Sequence, residues 1–404
     1  MQENNRTVRG SHFLFLWFGA AVSIAEIMTG GLLAPLGFKQ GLLAVILGHL
    51  AGTTLLALGG YIGAREGIPA LFSTRISFGV YGSYLFSALN ILQLVGWTAV
   101  MIISAARSAN DVTRLLWGWD QLQVWSLFIG ALVALWIALG REGGWKKLNM
   151  AAVVLLLGVT ALLSQVVFHD TGALTKEAVG GISFGGALEL SVVMPLSWLP
   201  LIADYTRFAQ SRQGAVWGSW AGYFIGSCWM YIIGLGAALV SGSADPSAMM
   251  LAAGLGFGAL GIIVLATVTT TFMDAYSAGV SFANLVPAWN EKWMALVLTA
   301  IGTALALAVD MELYQDFLLA IGSVFAPLFA VLFSDYFWHG RRQVTAGLLV
   351  DWPALAVWGI GVWLYYQMLE VDFIAGATIP VMVISAILLK LVRQVGGQQK
   401  QAGR

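Results

Sequence analysis

The stretch FLFLWFGAAVSIAEIMTGGLL, residues 13–33, decides the fold. It is apolar over a length that spans a bilayer, yet it carries one carboxyl, Glu26, in its interior. An ionisable side chain at the bilayer centre costs about 2.5–3.5 kcal/mol on insertion scales, so such acids face a cavity, a partner or a permeating solute. Asp274 sits the same way in a second apolar run, Leu255 to Leu285. Composition agrees: 59% of residues are apolar and 10% charged, against about 25% charged in soluble domains.

Twelve apolar runs of bilayer length follow one another, from Phe13–Leu33 to Ile374–Val392, with Phe78–Ala106 third, Ala187–Ile202 sixth and Leu255–Leu285 eighth. The short connections leave no room for a separate soluble domain. With the N-terminus inside, only Lys39, Arg107, Arg114 and Lys176 fall on the outer side, and every other Lys and Arg lies on the inner side. That bias predicts cytoplasmic termini in a bacterial inner membrane. The single cysteine, Cys228, excludes an intrachain disulfide. No concentrated basic patch suggests nucleic acid, the four histidines form no metal pair at helical spacing, and no catalytic motif marks an enzyme. His49 reads as a packing residue.

Two runs contain helix breakers. Thr29-Gly30-Gly31 follows Glu26 in the first, and Pro195 and Pro200 flank Ser197 and Trp198 in the sixth. Breaks at membrane depth are tolerated where freed backbone groups line a cavity, and interruptions five helices apart fit inverted repeats with a binding site at the breaks.

Several motifs then occur in order: Gly60–Gly67 with Arg75–Ser83, Gly96-Trp97, Ala203–Phe208, Ser281–Asn284, and Ser334-Asp335-Tyr336 with Arg341-Arg342. In these the chain resembles the nucleobase:cation symporter-1 family, within it the cytosine permeases, and more closely a subgroup thought to import hydroxymethylpyrimidine, a thiamine precursor. The resemblance implies an all-α, LeuT-like fold of twelve helices. Residues 1–170 and 171–340 would form inverted five-helix repeats, 341–395 two peripheral helices, and 396–404 a cytoplasmic tail. A bundle of helices 1, 2, 6 and 7 would rock against a scaffold of helices 3, 4, 8 and 9.

The resemblance also implies sites. Sodium would take carbonyls of Gly19, Val22 and Ala266 and hydroxyls of Thr269 and Thr270, with a proton as the alternative ion and no other cofactor. A pyrimidine would stack on Trp97, with Ser23, Gln93, Ser197 and Trp198 around it. Glu26 and Asp274 depart from the cytosine carriers and would read a 4-aminopyrimidine edge, accepting from the exocyclic amine. Asp274 also lies one turn beyond Thr270 and could serve the ion or packing instead. Glu189 is expected at an outer vestibule or cap, and Asp204 in an inner salt-bridge or capping cluster with Arg207. The expected function is symport of a pyrimidine, hydroxymethylpyrimidine first and cytosine or another nucleobase second.

Overall fold

In the computed structural model each apolar run coincides with one or two helices. The structure describes residues 6–139, 144–169, 171–175, 179–286 and 288–402. In chain order the helices are α1 (Gly10–Ala21), α2 (Ile24–Leu32), α3 (Phe38–Glu66), α4 (Ala70–Ser73), α5 (Arg75–Trp117), α6 (Leu122–Leu139), α7 (Gly144–His169) and α8 (Thr171–Leu174). There follow α9 (Phe184–Ser197), α10 (Leu199–Thr206), α11 (Arg212–Ser241), α12 (Pro246–Ala252), α13 (Gly256–Leu285), α14 (Glu291–Ala308), α15 (Tyr314–Phe333), α16 (Trp352–Glu370) and α17 (Thr378–Ala402). Nine spans among the described residues are long and apolar enough to cross a membrane, ten when the bent pair α1–α2 counts as one. The sixth apolar run is the span α9–α10, and the ninth and eleventh form α14 and α16.

The helices pack in two groups. In one, α1 and α2 lie on α11, and α3 packs on α9, α10 and α11; in the other, α5, α6, α13 and α14 pack on one another. These are the bundle and the scaffold that the resemblance implies. Helices α15, α16 and α17 form a third cluster that reaches α9.

Lipid tails are as apolar as leucine, so close van der Waals approach, not hydrophobicity, holds membrane helices together. Glycines supply the approach. Along α11 a Cβ at Gly218 would lie 2.4 Å from Gly10 O, one at Gly222 2.2 Å from Leu14 O, and one at Gly234 2.0 Å from Ile27 O. On α3, Gly48 and Gly52 are likewise pressed against Ser191 and the Val192 carbonyl of α9.

Within the scaffold the seam is polar. Arg75 donates to Asn284 Oδ1 at 2.5 Å, Asn284 Nδ2 donates to Ser87 Oγ at 2.8 Å, and Asn90 Nδ2 donates to Ser281 Oγ at 2.7 Å. The motif residues Arg75–Ser83 and Ser281–Asn284 therefore fasten α5 to α13.

Gly79 bends α5 with φ 78°. The amides of Val80 and Tyr81 beyond the bend donate to Leu348 O and Leu349 O at 3.2 and 2.9 Å, so the loop before α16 replaces the missing helical acceptors. A Cβ at Gly79 would lie 2.7 Å from Leu349 O, in a conformation that L side chains disfavour. Gly79→Ala is expected to lower stability by at least ~1 kcal/mol, read as a lower midpoint of thermal unfolding in detergent.

On the same side of the molecule, Arg393 and Arg341 both contact Asp335 and Asp351, with Arg393 Nη1 2.8 Å from Asp351 and Nη2 2.9 Å from Asp335. The motif Ser334-Asp335-Tyr336 with Arg341 thus ties the end of α15 to α16 and α17. Asp204 Oδ1 accepts from Ala70 N at 3.1 Å and caps α4, while Arg207 Nε meets the Asp204 backbone carbonyl at 3.2 Å.

Candidate substrate and ion site

The first span breaks between α1 and α2, bending 57°. Val22 leaves the helical region (φ −79°, ψ 78°) and Ser23 is extended (φ −137°, ψ 159°). The break is therefore at Val22-Ser23, not at Thr29-Gly30-Gly31 as the sequence suggests. Those three residues are helical, and Gly30 serves packing instead: its Cβ would lie 2.3 Å from Tyr231 O. The sequence did hold a signal, since Ser23-x-x-Glu26 is a capping-box pattern that marks a helix start. The box does not close. Ser23, buried, makes no cap bond, and Glu26 turns to α11.

Ser23 N donates to Ala21 O, so Gly19 O is released from the acceptor role it would have four residues back. Gly19 and Val22 thus sit at loosened backbone, as an ion site requires. Gly19 borders Val153 of α7, and α13 also packs on α7. On α13, Thr270 Oγ1 donates to Ala266 O at 2.5 Å, the back-bond threonine makes within a helix turn without any ion. The side chain of Thr269 lies outside the described residues.

Glu26 is 1% exposed. Its Oε1 accepts from Tyr223 OH at 2.7 Å and its Oε2 lies 2.6 Å from Ser227 Oγ, both on α11. Ser227 Oγ is in turn 2.6 Å from His49 Nε2 on α3, and His49 Nδ1 is 2.9 Å from Val45 O. Both oxygens of Glu26 are engaged inside the bundle, each by one hydroxyl of α11. Tyr223, Ser227 and the part played by His49 were not legible in the sequence, because hydroxyls in apolar helices are commonplace and only the fold brings these together.

The ring-binding candidates lie on α5, where it meets both broken spans. The sixth span divides at Trp198, which keeps a right-handed conformation (φ −86°, ψ −9°), so the interruption is a tightened turn and not an unwound segment. Pro200 lacks an N–H, and Leu201 N donates to Trp198 O instead of Ser197 O. Gln93 Nε2 takes the freed Ser197 carbonyl at 2.7 Å. Gln93 Oε1 is left buried and without a partner among the described residues. Ser197 Oγ donates to Met194 O at 2.7 Å, and Trp198 packs edge-on to Trp17 with centroids 5.7 Å apart.

Trp97, one helical turn from Gln93, is buried and edge-on to Phe317 (5.4 Å) and Tyr314 (6.1 Å) of α15. Gly96 makes room for this arrangement, since a Cβ there would lie 2.4 Å from the Phe317 ring. Tyr314 OH lies 2.7 Å from Thr29 Oγ1, which links the Trp97 cluster to α2. Beside it an apolar cavity of ≈ 90 Å³ runs between α5, Val309 and α15. Asp274 is buried on α13, and no partner for its carboxyl is found among the described residues.

Glu189 is a cap. Buried on α9, it accepts from Tyr365 OH (2.5 Å), Ala377 N (2.7 Å), Thr378 N (2.8 Å) and Thr378 Oγ1 (2.6 Å), so it closes the N-terminus of α17.

Two interrupted spans of a multi-pass membrane protein thus meet a scaffold helix that carries a buried aromatic and an amide acceptor. The chain belongs to the family of permeases for cytosine/purines, uracil, thiamine and allantoin, whose profile matches residues 1–389. It is 28% identical to a cytosine permease of Escherichia coli O157:H7 over 93% of this chain and 90% of that protein. To a hydantoin permease of Microbacterium maritypicum it is 21% identical, over 93% and 83%. In fold it is similar to Mhp1, a nucleobase-cation-symport-1 family transporter in a closed conformation with bromovinylhydantoin bound (TM-score 0.80, 19% identity, 97% of this chain and 94% of that one). A Na⁺-coupled sialic acid symporter in an outward-open state shares the fold more distantly, with a TM-score of 0.64, 12% identity and 96% and 89% of the two chains covered.

Proposed function

We propose that this permease imports an amine-bearing pyrimidine together with sodium, the ring lying at Trp97 and donating its exocyclic amine to Gln93 Oε1. One observation carries the reading. A carbonyl only accepts, so the bond to Ser197 O fixes the Gln93 amide with one N–H engaged and its oxygen free. A buried acceptor without a partner costs about 1–3 kcal/mol, which a donor on the substrate recovers. Hydroxymethylpyrimidine, whose exocyclic amine would meet that acceptor, is the first reading; cytosine carries an amine as well. Cytosine is the second reading, favoured by the activity for which the relatives are named. Asp274, buried and without a partner among the described residues, is a further acceptor for either ring or ion.

Sodium would be held by the loosened carbonyls of Gly19 and Val22 with Ala266, Thr269 and Thr270 of α13. The membrane is the bacterial inner one, with both termini cytoplasmic.

A thermal-shift panel of pyrimidines with and without sodium tests substrate and ion together, since a ligand at 100 Kd stabilises by about 2.7 kcal/mol. Hydroxymethylpyrimidine is expected to raise the unfolding temperature most, and more with sodium present. Gln93→Leu should weaken hydroxymethylpyrimidine roughly tenfold, the worth of one hydrogen bond; unchanged affinity would remove Gln93 from the site. Uptake that keeps its full sodium stimulation after Thr269→Ala and Thr270→Ala together would refute the ion assignment.

A further inference from the structure

We infer that Glu26, Ser227 and His49 form a proton-binding relay inside the bundle, separate from the ring site and the sodium ligands, and that its proton exchanges during transport. Counting hydrogens leads there. His49 Nδ1 faces Val45 O at 2.9 Å, and a carbonyl cannot donate, so Nδ1 carries a hydrogen. His49 Nε2 and Glu26 Oε2 then both lie 2.6 Å from Ser227 Oγ, whose hydroxyl has a single hydrogen to give.

If Ser227 donates to Nε2, its contact with Glu26 is a hydrogen bond only when Glu26 is the protonated acid and donates to Ser227. If Ser227 donates to Glu26, Nε2 must carry a second ring hydrogen, so His49 is the imidazolium. Both arrangements contain the same number of hydrogens. They differ by one concerted shift through the serine hydroxyl, in which one O–H or N–H bond breaks as another forms at each step and no charge leaves the triad. Removing that one proton leaves a 2.6 Å contact with no hydrogen in it and an uncompensated carboxylate in an apolar bundle, a costly state.

The surroundings supply no substitute. Tyr223, Cys228 and Tyr231 of α11 and Tyr314 of α15 face Glu26, the His49 and Tyr231 rings meet edge to face at 4.6 Å, and no Lys or Arg pairs with Glu26 among the described residues. Tyr223 OH can satisfy Oε1 in either state but brings no further proton. The triad joins the first, second and seventh spans, all in the bundle expected to rock. A movement that separates α2 from α11 would break the Ser227 link and change how firmly the proton is held, which is the physical requirement for coupling.

The inference rests on the transport reading above, and its test separates the two. Wild-type protein and Glu26→Gln are placed in proteoliposomes with equal sodium on both sides, an alkaline interior, and tritiated hydroxymethylpyrimidine and cytosine as probes. Glutamine keeps a neutral donor toward Ser227 and so mimics the proton-loaded acid. Wild type is expected to accumulate a probe about tenfold per pH unit, the limit for one proton per substrate. Glu26→Gln is expected to hold accumulation at onefold at every pH step; accumulation equal to wild type would overturn the relay. Infrared difference spectra of ligand-free wild type against Glu26→Gln, and against His49→Gln, report the carboxylic-acid or imidazolium signal directly. If neither probe exchanges in wild type, the substrate reading fails and the spectra decide the relay. A pH-sensitive signal lost in Glu26→Gln supports it, and the absence of both signals, or a signal insensitive to pH, overturns it.

Discussion

Glu189→Ala is expected to lower the stability of the protein by about 4 kcal/mol or more, seen as a large fall in the midpoint of thermal unfolding in detergent. Four donors converge on this one buried carboxyl: the Tyr365 and Thr378 hydroxyls and the Ala377 and Thr378 amides. A buried donor left unsatisfied costs about 1–3 kcal/mol, and Glu189 is 1% exposed. The approach is close enough that a Cβ at Gly376 would lie 2.6 Å from Glu189 Oε2. Glu189→Gln should lose less, since its oxygen can serve the two amides while its NH₂ faces hydroxyls that also accept. An unchanged midpoint in Glu189→Ala would show that α16 and α17 are held to α9 by other contacts.

Gly234→Leu is expected to abolish counterflow and to deplete folded protein from the membrane. Its Cβ would sit 2.0 Å from Ile27 O and 2.8 Å from Ile27 C, and both are backbone atoms of α2 that no rotamer change can move aside. Overpacking costs typically 1–3 kcal/mol even where side chains can yield. Here α2 would have to leave α11, which carries the Tyr223 and Ser227 partners of Glu26. The control is Gly359→Ala on α16, where a Cβ meets nothing within 4 Å. It should be neutral or stabilising, by roughly the 0.5–1 kcal/mol that alanine gains over glycine in a helix. Size-exclusion profiles of the detergent-solubilised protein and counterflow in proteoliposomes would register both variants.

Much of the architecture could be read from residues alone, because a bilayer leaves the chain few choices. Runs such as Phe13–Leu33 and Leu255–Leu285 must be helical, since unpaired backbone groups are intolerable in hydrocarbon. The motif Arg75–Ser83 with Ser281–Asn284 pointed to the family, and the structure shows what it does: it hydrogen-bonds α5 to α13. The position of the first break was misread. Gly30-Gly31 looked like a breaker, yet glycine at that spot is required by the approach of Tyr231 O, while the true break follows Val22, where no breaker residue stands. A glycine's role depends on what passes beside it, and local composition does not contain that.

The candidate site divides in the same way. Gln93 and Trp97 share a helical face by spacing alone, so their association was available in advance. That the Gln93 amide is oriented by Ser197 O, with its oxygen left free, depends on how Leu201 and Pro200 reroute the backbone of another span. Glu26 was conspicuous as an acid among apolar residues, but its partners Tyr223 and Ser227 come from a helix far along the chain, and His49 on the next span joins them only through Ser227.

By itself, then, the sequence determined that the protein crosses a membrane many times, belongs among nucleobase-type permeases, and keeps acids at membrane depth; hydrophobic length and motif order suffice for each. Only the tertiary structure decided where the first span breaks, which polar groups are spent on one another, and which acceptor is left over. Those outcomes depend on the placement of hydrogens between helices that lie up to two hundred residues apart in the chain, a property of packing that no single segment encodes.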